Sequence, residues 1–220
     1  MFCNVCGQAS DVGRYAVNSF LHEVYQSVRK VDFTATFTTS IELLRYPGLF
    51  VREFLAGKRV GYINPIKFYF YGFIADYGLR SVLTFFTGDV TYHSRTDADT
   101  TFQIIGLVST AFWGVLWKLL YRRTQMNSVE FAAAAIFFEA ETNVLASAAM
   151  LILSPIKAYS VLSDQNLALI ELVIEVGYAF YFAKSLFGES IFKTAIKQFA
   201  LTAIYIFLLA FLLLKWMGTS

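Results

Sequence analysis

Charge is what this sequence has least of: Asp, Glu, Lys and Arg make up 15% of its 220 residues, where a soluble domain carries about a quarter. The shortage is uneven. The first 65 residues are ordinarily polar, whereas beyond them long stretches hold one or two ionisable groups each. A net charge of +2 with no free-standing basic tail excludes nucleic acid as the partner. The basic residues lie beside apolar segments, which makes the membrane surface their natural counterpart. Cysteine is nearly absent, with only Cys3 and Cys6, and a structural disulfide between them is not expected at a cytoplasmic N-terminus. Histidine is as scarce, and His22 and His93 fall on opposite sides of the membrane in the topology below, so they cannot combine on one metal. The opening MFCNVCGQASDVGRY lacks a basic region followed by an apolar run, so insertion rests on the first true span and not on a cleavable signal.

What is abundant is apolar and aromatic residues, at 57% and 18% of the chain. They form five runs, over about residues 65–86, 102–121, 129–153, 167–187 and 192–216. At about 1.5 Å per residue each is long enough for a hydrocarbon core of about 30 Å. The expected fold is an all-α integral membrane protein, with five transmembrane helices preceded by a cytoplasmic amphipathic helical segment. Lys and Arg set its direction. Seven of them precede the first span, Arg122 and Arg123 follow the second, and Lys184, Lys193 and Lys197 surround the fourth-to-fifth turn. The N-terminus is therefore expected in the cytoplasm and the C-terminus outside. Trp113, Trp117, Tyr121 and Trp216 fall near span ends, where amphipathic rings prefer to sit.

The chain divides into a Cys/Gly-bearing knuckle at 1–15, interfacial helices within 16–64, and the span region 65–220. Residues 16–37 read as a helix or mixed linker. From Thr38, a Ser/Thr-rich helix start is followed by a break at Pro47 and Gly48 and a second short helix ending at Gly57. Pro47 suits the first turn of that helix. Leu43, Leu44, Leu49, Phe50, Phe54 and Leu55 alternate there with Arg45, Arg52, Lys58 and Arg59. Such a basic amphipathic segment before a span is expected at the interface, with its cations near anionic headgroups and Tyr62 as an anchor. The alternative is a helix packed against the chain's own spans.

Ionisable residues inside spans cost about 2.5–3.5 kcal/mol each on insertion scales. Here they are Asp76 and Arg80 in the first span, Glu139 and Glu141 with Asn143 in the third, and Glu171 and Glu175 in the fourth. Asp76 and Arg80 share a helix face, as do Glu171 and Glu175. Glu139 and Glu141 point about 200° apart and cannot share one small site, whereas Glu139 and Asn143 can. A polar centre joining the first, third and fourth spans, with Arg80 bridging carboxylates, is the economical arrangement. It reads either as an ion or proton path or as a network that fixes helix packing.

Cys3-x-x-Cys6-Gly7 has the shape of a zinc knuckle, but two thiolates are half of a tetrahedral set, so zinc requires ligands beyond them. AGKR at 56–59 is not a phosphate loop, because it lacks the upstream glycine and the following Ser or Thr. No nucleophile elbow or His-Glu-x-x-His pair is present, and no catalytic residues are assigned.

Together CNVCGQ, the Thr-rich start and LLRYPGLFVREFLAGKRVGYINPIKFYF resemble an uncharacterised bacterial membrane family, a domain of unknown function with a zinc-ribbon-like end and an RPG, R-E-[YF]-x-x-GKR stretch. The resemblance implies a bacterial inner-membrane location and supplies no catalytic residues. In architecture alone the chain is also similar to five-span Yip-type proteins. The function expected is non-enzymatic engagement of anionic inner-leaflet lipid or a partner protein, as in membrane organisation or scaffolding. The alternative is a channel or transporter using the buried carboxylates. Small residues at 132–135 and 146–149 allow close helix approach and favour a homo-oligomer or membrane complex.

Overall fold

The computed structural model describes residues 32–87, 110, 112–158 and 164–217, and these are helical apart from short connections. The knuckle, Cys3, Cys6, both histidines and the start of the expected second span lie outside them. Seven helices are described: α1 (Phe33–Arg45), α2 (Pro47–Leu55), α3 (Pro65–Thr87), α4 (112–120), α5 (Ser128–Ala158), α6 (Asp164–Phe187) and α7 (Ile191–Met217). No strand occurs among the described residues. One helix in that set, over Ser128–Ser154, is long and apolar enough to cross a membrane, with a mean hydropathy of 1.5. It is the helix that carries Glu139 and Glu141 at its middle.

Local chemistry sets the helix ends. The Asp32 carboxylate accepts from the Ala35 amide at 2.9 Å, so α1 begins at Phe33, five residues before the Thr-rich start the sequence suggests. Pro47 occupies the first turn of α2, where its missing N–H is no loss. The end of α2 is a Schellman closure: Gly57 N–H donates to the Phe54 carbonyl and Lys58 N–H to the Glu53 carbonyl. Gly57 sits at φ 116°, which a side chain would strain. Asn127 and Glu130 cap α5 reciprocally, at 2.9 and 2.7 Å.

The packing pairs give the helix directions. Phe68 meets Phe137, Gly72 faces Ala140, and Ser147 bonds Asp76, so α3 and α5 run parallel in their most extensive contact. Phe131 meets Phe187 and Phe138 meets Phe182 and Tyr178, so α6 runs antiparallel to α5. The core between them is aromatic, with Phe138 as its hub. Its ring centroid lies 5.9 Å from Trp113, 5.4 Å from Trp117, 5.9 Å from Tyr178 and 5.6 Å from Phe182. Trp113, Trp117 and Tyr121 are thus fully buried, not placed as interfacial anchors. The rings gain more from edge and stacked contact inside the bundle than from a headgroup position. The small residues 133–135 are likewise buried within the chain, and Gly114 lets α4 close on Ala132.

Phe138→Ala removes the ring on which four others converge, and a loss of about 3–5 kcal/mol is expected. A lowered melting temperature of the purified protein in detergent measures it.

Candidate functional site

The segment α1–α2 forms a hook seated on the bundle. Its inner face, with Ala35, Thr39, Leu43, Phe50, Val51, Phe54 and Leu55, is buried. Phe50 and Phe54 pack edge-on against Phe137 of α5 at 5.2 and 5.0 Å. Polar bonds then fix the hook's position along α6. Tyr178 donates to the Leu43 carbonyl at 3.3 Å and Tyr181 to the Arg45 carbonyl at 2.5 Å. Gly48 N–H donates to the Ser185 hydroxyl at 2.9 Å. Arg52 Nη1 donates to the Ser185 and Leu186 carbonyls at 2.9 and 2.8 Å. Those carbonyls belong to the last turn of α6, where no amide follows to satisfy them. A cation there also complements the helix dipole.

This contact explains the Pro-Gly break. A Cβ on residue 48 would stand 2.0 Å from the Ser185 carbonyl oxygen, so only glycine lets the hook approach closely enough for Arg52 to reach its acceptors. The other cations of the stretch are placed differently. Lys58 pairs with Glu53 at 2.6 Å, and this hydrogen bond holds its ammonium above the usual lysine range. Arg59 lies over the Phe54 ring at 5.8 Å, and Arg45 is exposed. Tyr62 is half-buried and packs edge-on to Phe50 at 5.1 Å.

The polar residues of α3, α5 and α6 fall into two groups. In the first, Arg80 bonds Asp76 at 2.8 Å and Glu171 at 3.4 Å, while Ser147 donates to the other Asp76 oxygen at 3.1 Å. The guanidinium joins α3 to α6, and the Asp76 carboxylate joins α3 to α5. In the second, Glu141 is fully buried and accepts from Ser40 of the hook at 2.9 Å, and its other oxygen is buried with no hydrogen-bond partner. Glu139 is half-buried and, two residues from Glu141 on one helix, points about 200° away from it. The Asn143 backbone carbonyl lies 2.8 Å from the same Ser147 hydroxyl, so it and Asp76 share one proton. Among the described residues no group of three His, Cys, Asp or Glu side chains could hold a metal ion.

Sequence reasoning passed over Ser40, Ser147 and Ser185. Ser147 sits in the 146–149 small-residue run, and its spacing of four from Asn143 was the available signal. Ser185 and Ser40 have no comparable mark, because their partners are distant in the chain.

Residues 36–75 match the family model described as a protein of unknown function, DUF3667. That stretch runs from the hook into α3, so the hook's contact with α6 joins the matched segment to a part of the chain outside the match. No curated protein and no solved structure matches the chain.

Gly48→Ala forces the hook off α6, and a cost of at least about 1–3 kcal/mol is expected from overpacking alone. Hydrogen exchange reads it: amides of 47–55 should lose protection while those of 128–140 keep it.

Proposed function

We propose that this chain is a non-enzymatic, five-span protein of the bacterial inner membrane, with a cytoplasmic N-terminus, whose hook engages anionic inner-leaflet lipid. The observation that carries this reading is the hook's outer face. Its inner face is already satisfied by the bundle, yet Phe33 is 78% and Phe37 69% exposed, with Leu44, Tyr46 and Leu49 also uncovered. Arg45 and Lys58 lie exposed in the same stretch. An apolar outer face rimmed by cations suits the boundary between acyl chains and headgroups and has no use in water.

The five-span reading draws on the same logic. Phe70, Ile74, Phe85, Val173, Phe192 and Phe199 are exposed on α3, α6 and α7, which suits helices facing lipid. The parallel α3–α5 and antiparallel α5–α6 pairs fit alternating passage of successive spans. Arg52, Arg122, Arg123, Lys184, Lys193 and Lys197 gather around the end where Tyr121 stacks on Phe187, which favours that end as cytoplasmic. In this reading the Cys3–Cys6 knuckle takes zinc only with further ligands, from a second copy of the chain or from His22 with an acid, and the likeness to Yip-type proteins is one of architecture.

A second reading, a channel or transporter, is favoured by one observation: Arg80 bridging Asp76 and Glu171 beside Ser147 within the bundle. Ion pairs at membrane depth mark pathways as well as packing contacts.

Phe37→Cys, labelled with an environment-sensitive fluorophore in a Cys3→Ser/Cys6→Ser background, tests the first reading in nanodiscs. Quenching by brominated lipid should strengthen when phosphatidylglycerol replaces phosphatidylcholine, and equal, weak quenching in both sinks it. The second reading rests on flux through reconstituted protein. Flux that persists after Glu139→Gln, Glu171→Gln and Glu175→Gln are combined removes the carboxylate path.

A further inference from the structure

Beside the hook's inner end lies a cavity of about 410 Å³, bordered by α2, the turn after α4 and the end of α6. Leu55, Met126 and Leu186 give it an apolar wall, and Arg52, Thr124 and Gln125 give it polar groups. We propose that this cavity holds the headgroup and upper acyl segment of one anionic phospholipid. The proposal rests on the inner-leaflet reading above and gives it a defined site.

Three features select that occupant. The lining is mostly apolar with a few polar groups at one side, which suits an amphiphile better than a fully polar solute. Arg52 lines the cavity, is exposed, and is held in place by the bonds of one terminal nitrogen to the α6 carbonyls. A guanidinium so fixed is suited to phosphate oxygens. Arg122 and Arg123, both exposed, precede Thr124 directly on the turn that closes the cavity. Glu130 also borders it, but its carboxylate is turned to its own helix cap, accepting from Asn127 N–H at 2.7 Å, and the residue is buried. The cavity also lies where helix ends converge, the depth at which a headgroup meets a bundle.

The full-length protein in detergent, titrated with phosphatidylglycerol or phosphatidylcholine and read by native mass spectrometry, tests this. One phosphatidylglycerol should be retained per chain, with a preference of about tenfold over phosphatidylcholine. Ala56→Trp, which fills the cavity from the end of α2, should abolish that retained molecule. Arg122→Gln/Arg123→Gln should weaken it severalfold and gives the answer if the filled variant does not fold. Preferential retention untouched by both variants overturns the site while leaving the hook's lipid contact standing. Absence of any preference in the parent protein overturns the site and the inner-leaflet reading together. Displacement by glycerol 3-phosphate alone, or by an acidic peptide at comparable concentration, would assign the cavity to a soluble anion or a protein partner and overturn the lipid.

Discussion

The last turn of an α-helix leaves carbonyl groups without amide donors, and α6 resolves this with a side chain from 133 residues away. The Arg52 guanidinium meets the Ser185 and Leu186 carbonyls, while Gly188 N–H meets that of Lys184. Once that fork is in place, much else follows. Residue 48 must be glycine, because the two backbones approach within the reach of a Cβ. Pro47 turns the chain between two helices that both touch α6. Phe50 and Phe54 are then carried onto Phe137, which links the end of α6 to the middle of α5. The 36–75 match to a family of unknown function thus includes the residues of a docking element, not of a free surface helix.

How much of this could be read from the sequence depended on the range of the interaction. Pro47, Gly57 and Pro65 act on their own backbone, so the break, the Schellman closure and the start of α3 were legible directly. The start of α1 was misplaced because Asp32 caps it and the Thr-rich run behind it is simply helical. The bonds of Arg52 to α6 were not legible, because a backbone acceptor far along the chain leaves no mark in composition or spacing. Trp113 and Trp117 misled for a different reason. An amphipathic ring near a span end satisfies both the interfacial pattern and an aromatic core, and only packing partners such as Phe138 and Phe182 decide between them.

The polar residues inside the bundle show the same dependence on partners. Charge counting gave one Arg among several acids and suggested a single shared centre. The geometry divides them: Arg80 serves Asp76 and Glu171, and Glu141 stands apart with the hook's Ser40. The guanidinium meets two carboxylates and ties α3 to α6, and Ser147 on the far Asp76 oxygen brings in α5. That arrangement resists rearrangement, since removing one partner leaves the others uncompensated in low dielectric.

Glu141 is the more responsive group. It is fully buried, one oxygen has no hydrogen-bond partner, and the hydroxyl on the other comes from α1. Lifting the hook would withdraw Ser40 and open a buried carboxylate to whatever surrounds the bundle, whether lipid or water. Docking of α1 and the solvation of Glu141 are therefore one event. The hook is held by its clamp on α6 and by aromatic contact on α5, while its outer face remains uncovered. The exposed Phe33 and Phe37 and the Ser40 hydroxyl on Glu141 thus belong to one helix of 13 residues.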